Sequence, residues 1–216
     1  MDWTFNSRAV AKSFDNHVRE QLPWYDLASE SVAMVAKSYL EKGGLVYDIG
    51  ASTGNIGRRL DGLLSEREAS LVAIESSPAM ANEYAAGGTL VVAHAEDVDF
   101  EPFSVCVVFL SLMFLPKSKR ADLLLKLRRK CKSGGAIIIV DKLEAPGGYV
   151  GTVLRRLTMQ WKLRNMATPE EIISKELSLS GVQRPLSENE LGKDAQRFFQ
   201  LGEFAGWIIE KNLTNT

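Results

Sequence analysis

Two cysteines, two histidines and a near-zero net charge set the first limits on this chain of 216 residues. The hydrophobic pattern puts Cys106 in a strand and Cys131 in a helix. Neither forms a metal-ligand spacing with His17 or His94, so no metal is expected. The cysteines read as two buried free thiols in a reducing compartment. No apolar run reaches the roughly 20 residues of a membrane span. The opening residues, MDWTFNSRAVAKSFD, lack the apolar segment of a secretory signal. A cytoplasmic protein that makes no use of a membrane is therefore expected. With 26 basic and 27 acidic side chains the formal charge is -1, so nucleic-acid contact would have to come from a local patch. There is also no internal repeat, low-complexity tract or flexible linker.

What remains is ordinary globular composition, 45% hydrophobic and 25% charged, at a length that suits one domain. Apolar spacing predicts a helix over 8–21, stopped by Pro23, and a second ending near residue 40, stopped by Gly43 and Gly44. Short apolar strands then alternate with helices. Strands are expected at 45–50, 71–75, 89–97, 103–112 and 136–143, with helices at 55–65, 77–85 and 118–131. Residues 150–180 read as helical, with Pro169 starting a new turn. Two aromatic and β-branched runs separated by LGE close the chain as a hairpin. The class is α/β: a mostly parallel seven-stranded sheet with an antiparallel C-terminal hairpin and an N-terminal helical cap. One domain over 1–216 divides into the cap (1–42), a core (43–143), a helical insertion (144–190) and the hairpin unit (191–216).

The stretch LVYDIGASTGNIG, residues 45–57, carries the chemistry. It is a strand that breaks into a glycine turn and opens a helix, at the carboxyl end of a strand where open α/β sheets bind ligands. Glycine lets backbone approach a ligand where a Cβ would clash. The dinucleotide spacing G-x-G-x-x-G fails, because Ser52 stands where its second glycine belongs. What is present is Asp48-x-Gly50-x-x-x-Gly54. This resembles motif I of class I S-adenosylmethionine (SAM)-dependent methyltransferases, whose Rossmann-like fold fits the strand and helix order. The next strand ends in Glu75, whose two oxygens match a ribose diol. The third ends in Glu96 and Asp97, either of which can accept the adenine amino group. SAM is therefore the expected cofactor.

Longer segments narrow the resemblance. AVAKSFDNHVREQLPWYDLASE, VYDIGASTG, AIESSPAM, FLSLMFLP and SGGAIIIVDKL, in that order from about Phe5, resemble the carboxy-S-adenosyl-L-methionine synthases. That family converts SAM and prephenate into a carboxylated SAM used to modify the wobble uridine of tRNA. The resemblance implies that Tyr25 closes over the cofactor. It implies motif I contacts from Gly50, Ala51 and Ser52, ribose contacts from Glu75 and Ser76, and adenine contacts from Glu96 and Asp97. Phe109 stands where the family has an asparagine. Glu176 stands where it has the arginine that holds the extra carboxylate, with Lys175 next to it.

Because a carboxylate at 176 repels another, the expected function is ordinary methyl transfer to a small-molecule or nucleic-acid acceptor. Carboxy-SAM synthesis and a non-catalytic SAM-binding scaffold are the alternatives. Methyl transfer needs mainly proximity and orientation, and no residue is singled out as a base among His17, Tyr25 and Glu176. Leu110, Arg156, Trp161 and Glu176 are the substrate-side candidates, and a homodimer is the expected assembly. LSLMFLP at 110–116 replaces the Pro-Pro-aromatic motif of amino-directed DNA methyltransferases. Two basic segments, 117–132 and 155–164, read either as a phosphate-binding surface or as solvated helix faces with Trp161 packed inward.

Overall fold

A computed structural model describes residues 7–187 and 189–212. Residues 1–6 of the expected cap, including Phe5 where the resemblance begins, and residues 213–216 of the hairpin unit lie outside the described residues. The chain begins with two helices, α1 (Arg8–Gln21) and α2 (Tyr25–Tyr39). The alternating core follows: β1 (Leu45–Ile49), α3 (Asn55–Arg67), β2 (Ser70–Glu75), α4 (Pro78–Ala81), β3 (Thr89–Val92), β4 (Phe103–Phe109), α5 (Lys117–Lys130) and β5 (Cys131–Lys142). Two insertion helices, α6 (Gly148–Arg164) and α7 (Pro169–Ser178), precede the hairpin of β6 (Ala195–Leu201) and β7 (Phe204–Glu210). The seven strands lie in the order β3-β2-β1-β4-β5-β7-β6. β1 through β5 pair in parallel, while β7 runs antiparallel to both β5 and β6.

Alternate side chains of the strands feed two separate cores, as a sheet covered on both faces requires. Tyr47, Ile49, Cys106 and Val108 pack toward Leu123 and Leu127 of α5. Val46, Val105 and Val107 pack toward Val32 and Ala36 of α2 and Leu60 of α3. All seven residues of β4 are buried, which marks it as the central strand. The chain order reverses between β1 and β4, and the crevice above their carboxyl ends is the ligand position of such sheets.

Several expected boundaries move. β3 ends at Val92, so Glu96 and Asp97 lie on a short 3₁₀ turn beyond it and do not end the strand, and β4 ends at Phe109. The helix expected over 77–85 is only one turn. Ser77 caps it and Pro78 opens it, but beyond it Ala85 N–H bonds Thr53 O and Ala86 packs on Gly54 and Gly57. Cys131 opens a strand rather than ending a helix. β5 runs through Gly134 and Gly135 because Gly135 lies against the Ser104 carbonyl, with a register shift in β4 between Phe103 and Val105. Cys106 and Cys131 are both buried free thiols, as expected. Among the described residues no helix is long and apolar enough to cross a membrane, and no group of His, Cys, Asp or Glu could hold a metal.

Candidate cofactor and acceptor site

A cavity of about 740 Å³ opens above β1, β4 and β5 and is roofed by α1. Its first wall is the loop from β1 into α3. Gly50 has φ +71°, and a Cβ there would lie 1.7 Å from the Ser111 hydroxyl, so only glycine fits between the β1 and β4 loops. Ser52 also adopts a left-handed φ of 52°. Its N–H donates to Glu75 Oε2 at 2.8 Å, while Ser77 N–H donates to Glu75 Oε1 at 2.7 Å. Burial raises the Glu75 pKa, against the pull of the Ser77, Ser52 and Ser76 N–H groups. Asp48 beneath the loop is almost fully buried. Burial, and then the nearby Glu75 charge, push it up to about 7.

Two buried acceptors in the cavity wall, Asp48 Oδ2 and Glu96 Oε2, have no hydrogen-bond partner among the described residues. Buried acceptors normally have one. SAM brings an ammonium and an adenine amine, two donors of the kind these oxygens need, so the residues present fit the cofactor. The other oxygen of Glu96 accepts from Lys119 at 2.9 Å. Burial would raise the Glu96 pKa, but Lys119 holds it below the usual carboxylate range. Tyr25 and Phe109 meet edge to face at 5.4 Å between centroids and form an aromatic wall. Burial raises the Tyr25 pKa, so its hydroxyl stays protonated.

The far end of the cavity draws on α1, β5, α6 and α7. Lys142, Lys162, Lys175 and Glu176 face it together with His17. Lys162 Nζ bonds Glu176 Oε1 at 3.0 Å, and Lys142 Nζ bonds Gln183 Oε1 at 3.2 Å. Lys175 Nζ lies 2.8 Å from His17 Nε2. Burial, then the Lys162 charge, bring Lys175 down to about 7 against the opposing pull of Glu176. Burial and Lys175 lower His17 to about 4. Burial works to raise Glu176, but Lys162 and Lys142 outweigh it and hold the carboxylate ionised.

Of the residues expected from sequence, Tyr25, Asp48, Gly50, Ala51, Ser52, Glu75, Ser76, Glu96, Phe109, Leu110 and Glu176 line this cavity. Four do not. Gly54 has φ +92° at the start of α3 and packs on Ala86 and Tyr84, so it shapes the turn from behind. Asp97 is exposed at the end of a short 3₁₀ turn, outside the cavity lining. Arg156 is exposed on the outer face of α6. Trp161 packs with the aromatic residues of the hairpin, near Gly202, in the inward reading of that segment. Lys142 and Lys162 were missed. One ends a strand, and the other lies inside the basic run at 155–164. In the other basic run, 117–132, seven of eight cations have partners within the chain, including Arg120, which is fully buried against Glu190 and the Arg184 and Leu115 carbonyls. Apart from Arg120 these cations are exposed or half-buried, so the segment is a solvated face laced with ion pairs.

Comparison with known proteins agrees with this architecture. Residues 46–135 match the family described as a methyltransferase domain. Over 223 residues the chain is 28% identical to the carboxy-S-adenosyl-L-methionine synthase of Staphylococcus epidermidis, with 97% of each chain covered. In structure it resembles an S-adenosylmethionine-dependent methyltransferase from Clostridium acetobutylicum, with a TM-score of 0.59 and 9% identity over 93% of this chain and 99% of that one. It also resembles human N-acetylserotonin methyltransferase in complex with SAM, with a TM-score of 0.57 and 11% identity. That match covers 96% of this chain but only 57% of the human one.

Proposed function

We propose that this chain, a class I SAM-dependent methyltransferase by its domain and fold and close in sequence to carboxy-SAM synthase, methylates a small acceptor that carries an acid group. The observation that carries the acceptor class is the cationic end of the cavity, where Lys142, Lys162 and Lys175 outnumber Glu176. A cavity of this volume has the size of small-ligand sites. A nucleic-acid acceptor has less support, because the basic residues of α5 are engaged within the chain.

When bound, SAM supplies an electrophilic methyl on its sulfonium. In this proposal Asp48 faces the positive charge, Glu75 and Ser76 hold the ribose, and Glu96 accepts from the adenine amine. Tyr25 and Phe109 exclude water from the middle of the cavity. Lys142 and Lys162 fix the acceptor's acid group, which orients it for an in-line displacement. We include a homodimer in the reading; the exposed apolar side chains Tyr149, Val150, Ile173 and Leu177 on α6 and α7 support it. Calorimetry with SAM, followed by incubation with methyl-labelled SAM and pools of small carboxylic acids, tests the function. Labelled acid with matching S-adenosylhomocysteine supports it. SAM binding without turnover on any pool would favour the scaffold reading.

The three lysines also favour a second reading. Cations stand beside the position where the synthase family has its arginine, so repulsion by Glu176 is more than offset. On that reading the chain shares the activity named for the S. epidermidis relative. Incubation with SAM and prephenate, followed by mass analysis, decides it: a carboxylated SAM supports the reading, and unchanged SAM rejects it.

A further inference from the structure

Lys175 is set apart from the other lysines of the cavity by its surroundings. It projects from α7 into a space that also receives His17 from α1, Lys142 from β5 and Lys162 from α6, with Glu171 and Glu176 on its own helix. Desolvation and a neighbouring cation are the two devices that turn a lysine into a nucleophile toward carbonyl compounds. Both act here, and they bring the amine to about 7. Lys142 and Lys162 supply positive charge within the same space, where an acid group next to the carbonyl would settle.

We propose that Lys175 captures the keto group of a small 2-oxo acid as an imine, with the acid's carboxylate held between Lys142 and Lys162. In that step the ε-amine attacks the keto carbon and a C=N bond forms. The C–O bond breaks, and the oxygen leaves as water carrying both amine protons. His17, 2.8 Å from the attacking nitrogen, orients the amine. A shift of one proton from the adjacent carbon to nitrogen gives an enamine, and that carbon is then nucleophilic, the property a methyl acceptor needs. The inference rests on the methyltransferase reading for its place in a reaction, but the imine can be read on its own.

The test uses the full chain with pyruvate and sodium cyanoborohydride near pH 7, followed by peptide mass analysis. Reductive labelling is expected at Lys175 at least roughly tenfold above any other lysine, because ordinary lysines stay protonated there. Lys175→Arg should remove that label. Lys162→Met should shift the pH midpoint of labelling upward, because it removes a repelling charge. Absence of the label, labelling spread evenly over the lysines, or an unmoved midpoint in Lys162→Met would overturn the proposal. Calorimetry with SAM on the same samples separates the two readings. SAM binding without the label sinks only the imine, whereas the label without SAM binding sinks the methyltransferase reading.

Discussion

Binding of SAM should expel a proton from Asp48. Its carboxyl is almost fully buried, carries an oxygen without a partner, and is brought to about 7 by burial and by Glu75. Compared with the ordinary value of 3.8, that is roughly three units, or about 4 kcal/mol held against ionisation. A bound sulfonium and ammonium return the group toward its usual range. At pH 7 the free protein holds about half a proton on Asp48 and the complex holds almost none, so about half a proton leaves per SAM bound. The sign follows directly. The free form binds more protons than the complex, so affinity rises as pH rises through 7 and levels off above about 8. Calorimetry at pH 7 in phosphate and in Tris reads this as a difference in apparent enthalpy. SAM's free amine titrates identically for any variant and is mostly protonated at pH 7, so the comparison with Asp48→Asn reports mainly on the side chain. The variant should bind more weakly and lose that part of the buffer dependence. Equal buffer dependence in wild type and Asp48→Asn would refute the argument.

Three further outcomes follow from the same geometry. Glu75→Ala should weaken SAM by roughly 1–3 kcal/mol and also loosen the loop that its oxygens hold through Ser52 and Ser77; an unchanged titration would reject the ribose role. Gly50→Ala should cost about 1–3 kcal/mol in urea unfolding because its Cβ meets the Ser111 hydroxyl, and Ser111→Gly in the same chain should recover part of that loss. Arg120→Met should lower stability by about 2–4 kcal/mol, since it leaves the Arg184 and Leu115 carbonyls and Glu190 Oε2 without their donor while Ser187 still serves the other oxygen; a urea midpoint within error of wild type would show the pair to be dispensable.

The order of elements and the acid at the end of β2 could be read in the sequence because local pattern carries both. A strand, a glycine turn and a helix follow one another, and Glu75 ends β2; Glu96, expected to end the third strand, lies on a 3₁₀ turn beyond it. The spacing did not reveal which glycine faces the cavity. Gly50 and Gly54 both have positive φ, yet one borders the cavity and the other packs on Ala86. Asp97 is a related case: of the two adjacent carboxylates on the 3₁₀ turn at Ala95–Asp97, Glu96 lines the cavity and Asp97 is exposed outside its lining. The cationic end was the least legible. Lys175 and His17 are 158 residues apart and meet only because α1 folds over the sheet. No periodicity within one helix anticipates such a meeting. Lys162 was hidden among exposed cations of α6, although it is the buried one.

The roof helix is latched at two points, by unlike means. Near its middle, Asp15 accepts from Thr53 Oγ1 at 2.5 Å and from Arg58 at 2.7 Å, which ties α1 to the cofactor loop. At its carboxyl end Asn165 of the insertion donates to the Arg19 and Glu20 carbonyls at 2.6 and 2.9 Å. The first latch is a half-exposed ion pair of the kind worth at most about 1 kcal/mol and weakened by salt. The second is an uncharged cap that dissolved ions hardly touch. Ionic strength therefore acts more on the latch beside the β1–α3 loop than on the one at Asn165. In a turnover limited by opening of the roof on that side, salt would quicken the cycle by loosening the first latch.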